Sequence, residues 1–250
     1  MLILHNYWSS VCSQKVRLGL AEKGLQFENR HVNLFEFEHW RPEYLKINPK
    51  AVVPALEHDG RFVVESNVIL EYLEDVFPQV KLRPEDPYVK AQMRVWLFNS
   101  EDIAHENVNT CSYNPRHAAR HKAKGHTRED LRGMAARCPN PVIRNRLIHR
   151  AEHGVSEDEE NKAYQALDFL LDQMEQALGG GPWLTGEAYT LADIAMVPFI
   201  NRIEVLKRPD MVRAARRPRL AQWYARMQER PAYQQAFSLA NPDKTDPVAR

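Results

Sequence analysis

Two serines, Ser9 and Ser10, lie where an apolar run, Leu2 to Leu4, gives way to a polar turn and then to a helical pattern. Serine is a preferred helix N-cap residue, and the first turn of a helix presents unpaired N–H groups and partial positive charge. A sulfur ligand bound at this junction would therefore rest there as a thiolate. Taken alone, the same residues also fit an ordinary N-cap, so the interpretation depends on the rest of the chain.

The composition limits the class of protein. Among the 250 residues, 34 Lys and Arg balance 33 Asp and Glu, and a net charge of +1 gives no basis for binding nucleic acid or an anionic membrane. No apolar run approaches the roughly 18 residues of a transmembrane helix, and no signal-peptide pattern opens the chain. The three widely spaced cysteines argue against a disulfide framework and a structural zinc site. We expect a soluble, cytoplasmic protein.

The elements that follow the first helix predict a small α/β unit. Residues 27–33 are typical of a short strand, and residues 34–47 of an irregular loop that contains a short helix. Two apolar strands within residues 55–64 flank Asp59 and Gly60, a strong hairpin turn signal. The predicted element order is β-α-β, a loop with a helix, and then β-β-α.

Two residues beside this hairpin allow more than one interpretation. Pro54 opens the first hairpin strand, where a cis Val53–Pro54 bond and a trans proline at a strand entry both fit. Ser66 is expected to be the N-cap of the next helix, and its backbone N–H would also face the concave side of the domain. One face of that helix is predicted to be apolar and buried; it consists of Val68, Ile69, Tyr72, Leu73 and Val76.

From residue 78 onward, the sequence predicts a linker and then a helical domain. Residues 78–88 carry three prolines in a charged setting, which is typical of a linker, so the predicted domains are 1–77 and 89–250. Helical patterns cover residues 88–108, 157–178, 190–206 and 218–237. The third pattern is apolar nearly all round, which predicts the buried core helix of this domain.

Residues 105–155 show no clear pattern, although they hold six of the ten histidines. His117 and His121 are four residues apart and could bind a metal on one face of a helix. Carboxylates are sparse nearby, so no metal site is predicted.

Two distant stretches agree on a known family. The first comprises the segments SSVCSQKVRLGL, VVPAL and ESNVILEYLED of the N-terminal unit. The second is LTGEAYTLADIAMVPF, in which Thr190 and Asp193 form a capping box that opens the predicted core helix. Together they resemble the cytosolic glutathione S-transferases over nearly the whole chain. The resemblance implies an α/β thioredoxin-like domain followed by an all-α helical bundle, glutathione as co-substrate, and a homodimer.

The resemblance also implies which residues hold glutathione. Val53 would pair with the cysteinyl backbone of glutathione, beside a cis Pro54. Glu65 and Ser66 would hold the carboxylate and amine of the γ-glutamyl end. In the predicted loop of residues 34–47, His39 and Trp40 could reach the glycyl end, although packing or surface roles fit these two residues equally well.

Alignment of Lys15-Val16-Arg17 with the basic-X-Arg motif of zeta-like and omega-like transferases places Ser10 at the activating position. A free thiol has a pKa near 8.5, and lowering it by two units needs about 2.7 kcal/mol, which a serine hydrogen bond and the helix N-terminus can supply. A shift of one residue in the turn would favour Ser9, and Ser13 is a further candidate. Cys12 falls two residues further on; a cysteine at the activating position itself would instead favour mixed disulfides and thiol exchange.

The segment between residues 93 and 157 is similar to bacterial β-etherases, which use the glutathione thiolate to displace a phenol from the carbon beside a ketone. The expected second substrate is therefore a small hydrophobic, aromatic electrophile. Trp8 and Tyr113, with Trp96 and Phe98 nearby, are candidates to form the wall of its pocket, although core packing also fits them.

Glu101 and Asp102 fall where some family members contact the ligand amine, but a solvated helix face fits them better. Two alternative functions stay open. One is a glutathione-binding stress or interaction protein with little turnover, and the other is a thiol transferase that uses Cys12.

Overall fold

The computed structural model of the chain describes residues 1–213 and 215–242. The last eight residues of the predicted helical domain lie outside these ranges. Among the described residues, no helix is both long enough and apolar enough to cross a membrane.

The N-terminal domain is thioredoxin-like, as predicted. Its sheet has the strand order β2-β1-β3-β4, in which β1 pairs parallel with β2 and antiparallel with β3. The whole of β1 is buried, consistent with its apolar sequence. The elements of this domain are β1 Leu2–Asn6, α1 Val11–Glu22, β2 Glu28–His31, α2 Pro42–Leu45, β3 Ala55–His58, β4 Arg61–Val64 and α3 Ser66–Val76, with a short 3-10 turn at Glu38–Trp40.

The predicted apolar face of α3 is only partly buried. Ile69 and Leu73 pack with Val16, Leu20 and other apolar residues of α1 and the sheet. In contrast, Val68 is 54% exposed and Val76 is 37% exposed, so the prediction was wrong for these two valines. A helix packed on one side of a sheet buries only part of its circumference. Val68 lies one residue before Ile69, outside the buried part, and Val76 lies in the last turn of the helix.

The N-cap of α3 is also different from the prediction. Glu65, with a positive φ of 69°, is the N-cap residue, and Ser66 is the first residue of the helix. No side chain caps this end of α3. The hydroxyl of Ser66 instead donates a hydrogen bond to Glu101 in the helical domain.

The second domain is all helical. The segment 105–155, which showed no clear pattern in the sequence, forms several short helices. α3 ends at Val76, before the predicted linker of residues 78–88, and α4 begins at Pro87, within the last two residues of that linker; the domain boundaries themselves stay a prediction. The helices are α4 Pro87–Asn99, α5 Glu106–Ser112, α6 Ala119–Ala123, α7 Arg128–Ala136, α8 Pro141–His153, α9 Glu157–Ala177, α10 Leu191–Val205, α11 Pro209–Val212, α12 Pro218–Gln228 and α13 Pro231–Phe237, with π-helical turns at Ser100–His105 and Tyr113–Ala118 and a 3-10 turn at Leu178–Gly180.

The predicted core helix, α10, is buried along almost its whole length. The capping box of Thr190 and Asp193 opens this helix as expected. The fully buried carboxylate of Asp193 also accepts hydrogen bonds from Leu184 N at 3.0 Å and from Trp223 Nε1 at 2.8 Å. Asp193 therefore connects the start of α10 to the preceding loop and to α12.

Helix α1 joins the two domains. One side of α1 packs on the sheet, while Val11, Cys12 and Leu18 belong to the apolar core of the helical domain. The buried guanidinium of Arg17 donates from Nε to Ala236 O in α13 at 3.0 Å. The N-terminus of α1 is thus held firmly at the domain interface.

Candidate active site

A cavity of about 370 Å³ lies between the two domains. The N-terminal domain lines one side with the turn between β1 and α1, the loop before α2, the entry to β3 and the start of α3. The helical domain lines the other side with residues of the segment 101–151 and of α10.

The three candidate serines have different positions at the start of α1. Ser9 and Ser10 line the cavity, and Ser10 is the N-cap, whose Oγ accepts a hydrogen bond from Ser13 N at 3.3 Å. Ser13 is fully buried and does not belong to the cavity lining; its Oγ accepts the N–H of Tyr7 at 3.3 Å. Because its oxygen is the acceptor for Ser13, the hydroxyl proton of Ser10 is available to a ligand in the cavity.

The four residues expected to hold the backbone and γ-glutamyl end of glutathione lie together on the cavity wall. They are Val53, Pro54, Glu65 and Ser66. The Val53–Pro54 peptide bond is cis. Glu65 forms an ion pair with Lys50 at 2.8 Å, so its carboxylate is oriented by a neighbouring cation.

His39 and Trp40 line the same cavity from the loop before α2. Burial lowers the pKa of His39 to about 4, so its imidazole is neutral at physiological pH. Its buried Nδ1 has no hydrogen-bond partner among the described residues. A buried polar atom without a partner is costly, and a ligand in this cavity can satisfy it.

Glu101 is part of the cavity wall, which the sequence did not predict. Its Oε1 accepts from Lys15 Nζ at 2.8 Å and from the hydroxyl of Ser66 at 3.1 Å. The ammonium of Lys15 is fully buried and also donates to Asn67 and Ser100. The side chain of Glu101 is 39% exposed, so it is partly solvated as expected, but its partners come from distant parts of the chain and were not predicted.

Cys12 and His105 form a second functional cluster beside Ser10. The sulfur of Cys12, a ring nitrogen of His105 and a carboxylate oxygen of Glu101 all lie within 4.8 Å of one another. The negative charge of the Cys12 sulfur raises the pKa of His105 to about 9 against the effect of burial, and a hydrogen bond that the imidazolium donates to Cys12 and the charge of Glu101 add to the rise. The three groups could also coordinate a cation, but the Lys15 ammonium already occupies Glu101.

The wall on the helical side is only partly the one predicted. Tyr113 lines the cavity, but Trp8 is absent from its lining and packs against the ring of Tyr7. Trp96 is buried in the core of the helical domain, and Phe98 is 65% exposed on its outer surface. Hydrophobicity alone does not tell which face of a helix meets a cavity, and this explains the difference. Other aromatic and apolar residues line the wall instead, among them Phe35, Phe37, His117, Leu131 and Met134.

Comparison with known proteins decides the family. Residues 4–81 match the profile of the glutathione S-transferase N-terminal domain, and residues 149–226 match that of the C-terminal domain. The chain belongs to the glutathione S-transferase family. Glutathione is the co-substrate of this family. Of the candidate site residues from the sequence, Ser13, Trp8, Trp96 and Phe98 are absent from the lining of the cavity.

Similar proteins cover almost the full length of this transferase. Protein LigF of Sphingobium sp. strain SYK-6 is 33% identical over 94% of the chain and 93% of its own length. The tetrachloro-p-hydroquinone reductive dehalogenase of Sphingobium chlorophenolicum is 29% identical over 95% of the chain and 96% of its own length. The crystal structure of β-etherase LigF superimposes with a TM-score of 0.83 at 31% identity, covering 95% of this chain and 98% of that one.

Proposed function

We propose that this transferase binds glutathione with its sulfur at the N-terminus of α1, where the hydroxyl of Ser10 donates a hydrogen bond to the thiolate. One observation carries the proposal: Ser10 lines the cavity as the N-cap of α1, and its oxygen accepts the N–H of Ser13, which leaves its proton for the ligand. Ser9 lines the cavity beside it and is the alternative donor. Ser13 has no part in the proposal, because its hydroxyl is enclosed in the turn.

The energies of these contacts are sufficient. Lowering the pKa of a thiol by two units from about 8.5 requires about 2.7 kcal/mol. A hydrogen bond to a charged group contributes roughly 1.5–3 kcal/mol, and a helix N-terminus contributes about 0.3–1 kcal/mol to a nearby anion. Ser10 and α1 together therefore account for an ionised thiol at neutral pH.

The remaining contacts of glutathione follow from the cavity wall. In this proposal, the backbone of Val53 beside Pro54 pairs with the cysteinyl unit, and Glu65 and Ser66 hold the γ-glutamyl end. His39 and Trp40 face the glycyl end. The buried Nδ1 of His39, without a partner among the described residues, supports this assignment because it needs a donor or acceptor from a ligand.

We propose an aromatic electrophile for the second substrate and β-aryl ether cleavage for the reaction. The thiolate attacks the carbon beside a ketone, so that a carbon–sulfur bond forms while the carbon–oxygen bond breaks, and the departing phenolate takes a proton from water. Two observations support this choice: the aromatic side of the cavity, which includes Tyr113 and Phe35, and the similarity to the β-etherase LigF over nearly the whole chain. A homodimer, as expected for the family, is part of the same proposal.

The experiment is turnover of glutathione with α-phenoxyacetophenone and with chlorodinitrobenzene, monitored as release of phenol and formation of conjugate. Ser10→Ala should lower kcat/KM at neutral pH by roughly 10- to 100-fold, the equivalent of about 1.4–2.7 kcal/mol. Ser156→Ala is the matched control, since Ser156 is the N-cap of α9 and is not part of the cavity lining. Retention on immobilised glutathione with no turnover of either substrate would favour the glutathione-binding stress or interaction protein.

A second reaction is favoured by the contact between Cys12 and His105. In it, the Cys12 thiolate attacks the glutathione sulfur of a mixed disulfide, forms a disulfide with glutathione and releases the other thiolate. A second glutathione thiolate then attacks that sulfur, restores Cys12 and leaves as oxidised glutathione. The imidazolium of His105, adjacent to Cys12 at physiological pH, supports this reaction because it stabilises the thiolate.

A further inference from the structure

The helical side of the cavity carries a concentration of positive charge. Five arginines line it: Arg116, Arg120, Arg146, Arg150 and Arg202. The only carboxylates among the described lining residues are those of Glu65 and Glu101. Glu65 forms an ion pair with Lys50, and Glu101 forms one with Lys15. These two carboxylates therefore have cations of their own. Arg146 forms an ion pair with Glu106 at 3.1 Å, so the inference uses the charges of Arg150 and Arg202.

Arg202 is a buried cation with a neutral partner. It projects from α10, is 8% exposed, and donates from Nη2 to the carbonyl oxygen of Ser9, next to the predicted site of the thiolate. Burial, together with Arg116 and Arg120 nearby, lowers the pKa of Arg202 to about 9, so it remains charged at neutral pH. Within the described ranges, Arg202 forms no ion pair with a carboxylate.

Arg150 of α8 has the same character. It is also 8% exposed, and its two terminal nitrogens donate to Asn109 Oδ1 at 2.6 Å and to Thr110 Oγ1 at 3.1 Å. Both partners are neutral, and the described residues form no ion pair with Arg150. A charge taken out of water without a counter-ion is expensive, so an anion bound in this cavity would stabilise both arginines.

Aromatic rings surround the same positive charge. His117 stacks at 6.3 Å from Tyr113 and at 6.0 Å from Phe35. The guanidinium of Arg120 lies 3.7 Å from the ring centre of Phe35, and that of Arg150 lies 5.2 Å from the ring centre of Tyr113. Burial, with Arg202, Arg116, Arg120 and Arg150 around it, lowers the pKa of His117 to about 3, so His117 adds a flat, uncharged surface.

We propose that the electrophile of this transferase is an aromatic compound that carries a carboxylate, with its ring against the aromatic surface that Phe35, His117 and Tyr113 form. Its carboxylate lies against Arg150 and Arg202. This inference rests on the proposed function and specifies its substrate class. A carboxylate matches the planar fork of an arginine better than a hydroxyl or a neutral carbonyl does. The buried arginines would then select the charged substrate over a neutral isostere, since the neutral group leaves them without a counter-ion.

The test compares two electrophiles of similar shape, one charged and one neutral. They are a chloronitrobenzoate, with its chlorine on the carbon next to the nitro group, and the matching chloronitrobenzamide. Binding of each is measured by titration calorimetry to the full-length protein saturated with S-methylglutathione, which has no thiol and permits no transfer. We expect the carboxylate to bind at least about tenfold more tightly than the amide, equivalent to about 1.4 kcal/mol. Conjugate formation with glutathione itself is followed separately.

The variants assign the preference to the arginines. Arg150→Gln should reduce the ratio of the two dissociation constants by about tenfold, and Arg202→Gln should do the same. Arg132→Gln is the control, because it removes the same charge from an exposed side chain of α7 that is absent from the cavity lining. Arg150→Lys keeps the positive charge and should retain more of the preference for the carboxylate than Arg150→Gln does. If Arg150→Gln does not fold, Arg150→Lys is compared with Arg202→Gln instead.

Equal binding of carboxylate and amide by the unsubstituted protein would overturn the inference, and so would a preference that survives in both arginine variants. Transfer of glutathione to the amide in that case would leave the proposed function intact. Conversely, a carboxylate preference without formation of any conjugate would support the anion site and contradict the proposed transfer reaction. An Arg202 variant that slows conjugation of acid and amide equally would assign Arg202 to the thiolate and overturn its part in the carboxylate site.

Discussion

The ammonium of Lys15, fully buried in α1, lies 2.8 Å from Glu101 Oε1 in the helical domain. The same carboxylate oxygen accepts the hydroxyl of Ser66. Through Glu101, the start of α3 is connected to α1 and to the turn after α4. The side of the cavity at which we propose that glutathione binds is therefore connected to the helical domain by an ion pair.

Removing the cation of this pair should destabilise the fold. Lys15→Met leaves Glu101 without its cation and removes one hydrogen-bond donor each from Asn67 Oδ1 and from the buried Ser100 Oγ, so the free energy of unfolding should fall by about 3 kcal/mol. Urea denaturation followed by circular dichroism measures the change. Lys162→Met is the control: its ion pair with Asp158 is exposed, and its loss should cost below about 1 kcal/mol. A loss of unfolding free energy in Lys15→Met that is as small as the loss in Lys162→Met would contradict the structural role of the pair.

Asp193 should be essential for the stability of the helical domain. Asp193→Ala leaves the buried N–H groups of Leu184, Thr190 and Trp223 without an acceptor, and each lost partner costs about 1–3 kcal/mol. We expect the variant to unfold at a much lower urea concentration or to be insoluble. Asp193→Asn retains one acceptor oxygen, so its urea midpoint should lie between those of the unsubstituted protein and Asp193→Ala. An unchanged midpoint in Asp193→Ala would show that this carboxylate is dispensable.

The reactivity of Cys12 should depend on His105. Because the pKa of His105 is raised to about 9, its imidazolium is present at neutral pH, close to the sulfur of Cys12, and a neighbouring cation increases the reactivity of a cysteine. His105→Gln should slow alkylation of Cys12 by iodoacetamide at neutral pH about tenfold, measured by peptide mapping. Cys111 is an internal control, since burial raises the pKa of its thiol to about 12. Equal rates in both proteins would remove His105 from the chemistry of Cys12.

The two proposed reactions should separate by variant. Cys12→Ser should lose reduction of glutathione mixed disulfides, because the attacking sulfur is gone. Ser10→Ala should lose more of the ether cleavage activity than Cys12→Ser does, because ether cleavage depends on the thiolate of glutathione. Initial rates for both substrates in both variants make the comparison. Full disulfide reduction by Cys12→Ser would exclude the thiol transferase mechanism.

Local signals predicted much of the fold. The turn at Asp59 and Gly60 gives the hairpin of β3 and β4, and the capping box of Thr190 and Asp193 opens α10. Each of these signals involves residues within a few positions of one another, where backbone conformation and nearby hydrogen bonds decide the structure. The position of Ser10 as an N-cap is a prediction of the same kind.

Contacts between distant parts of the chain were not predictable from the sequence. Glu101 meets Lys15 across 86 residues and looked like a solvated side chain. His105 and Arg202 gave no signal in the sequence pattern, because their importance comes from Cys12 and Ser9, which α1 brings against the helical domain. The aromatic wall was partly misplaced for a related reason: Trp96 and Phe98 lie on helix faces that do not meet the cavity.

The thiol pKa of bound glutathione tests the central claim most directly. The thiolate has an ultraviolet absorbance that can be titrated, and the spectrum of the protein without glutathione removes the contribution of Cys12. We predict a bound thiol with a pKa about two units below its ordinary value of about 8.5, and a rise of roughly one to two units in Ser10→Ala but none in Ser156→Ala. A bound thiol that titrates at its ordinary pKa, or one that is unaffected by Ser10→Ala, would contradict the account.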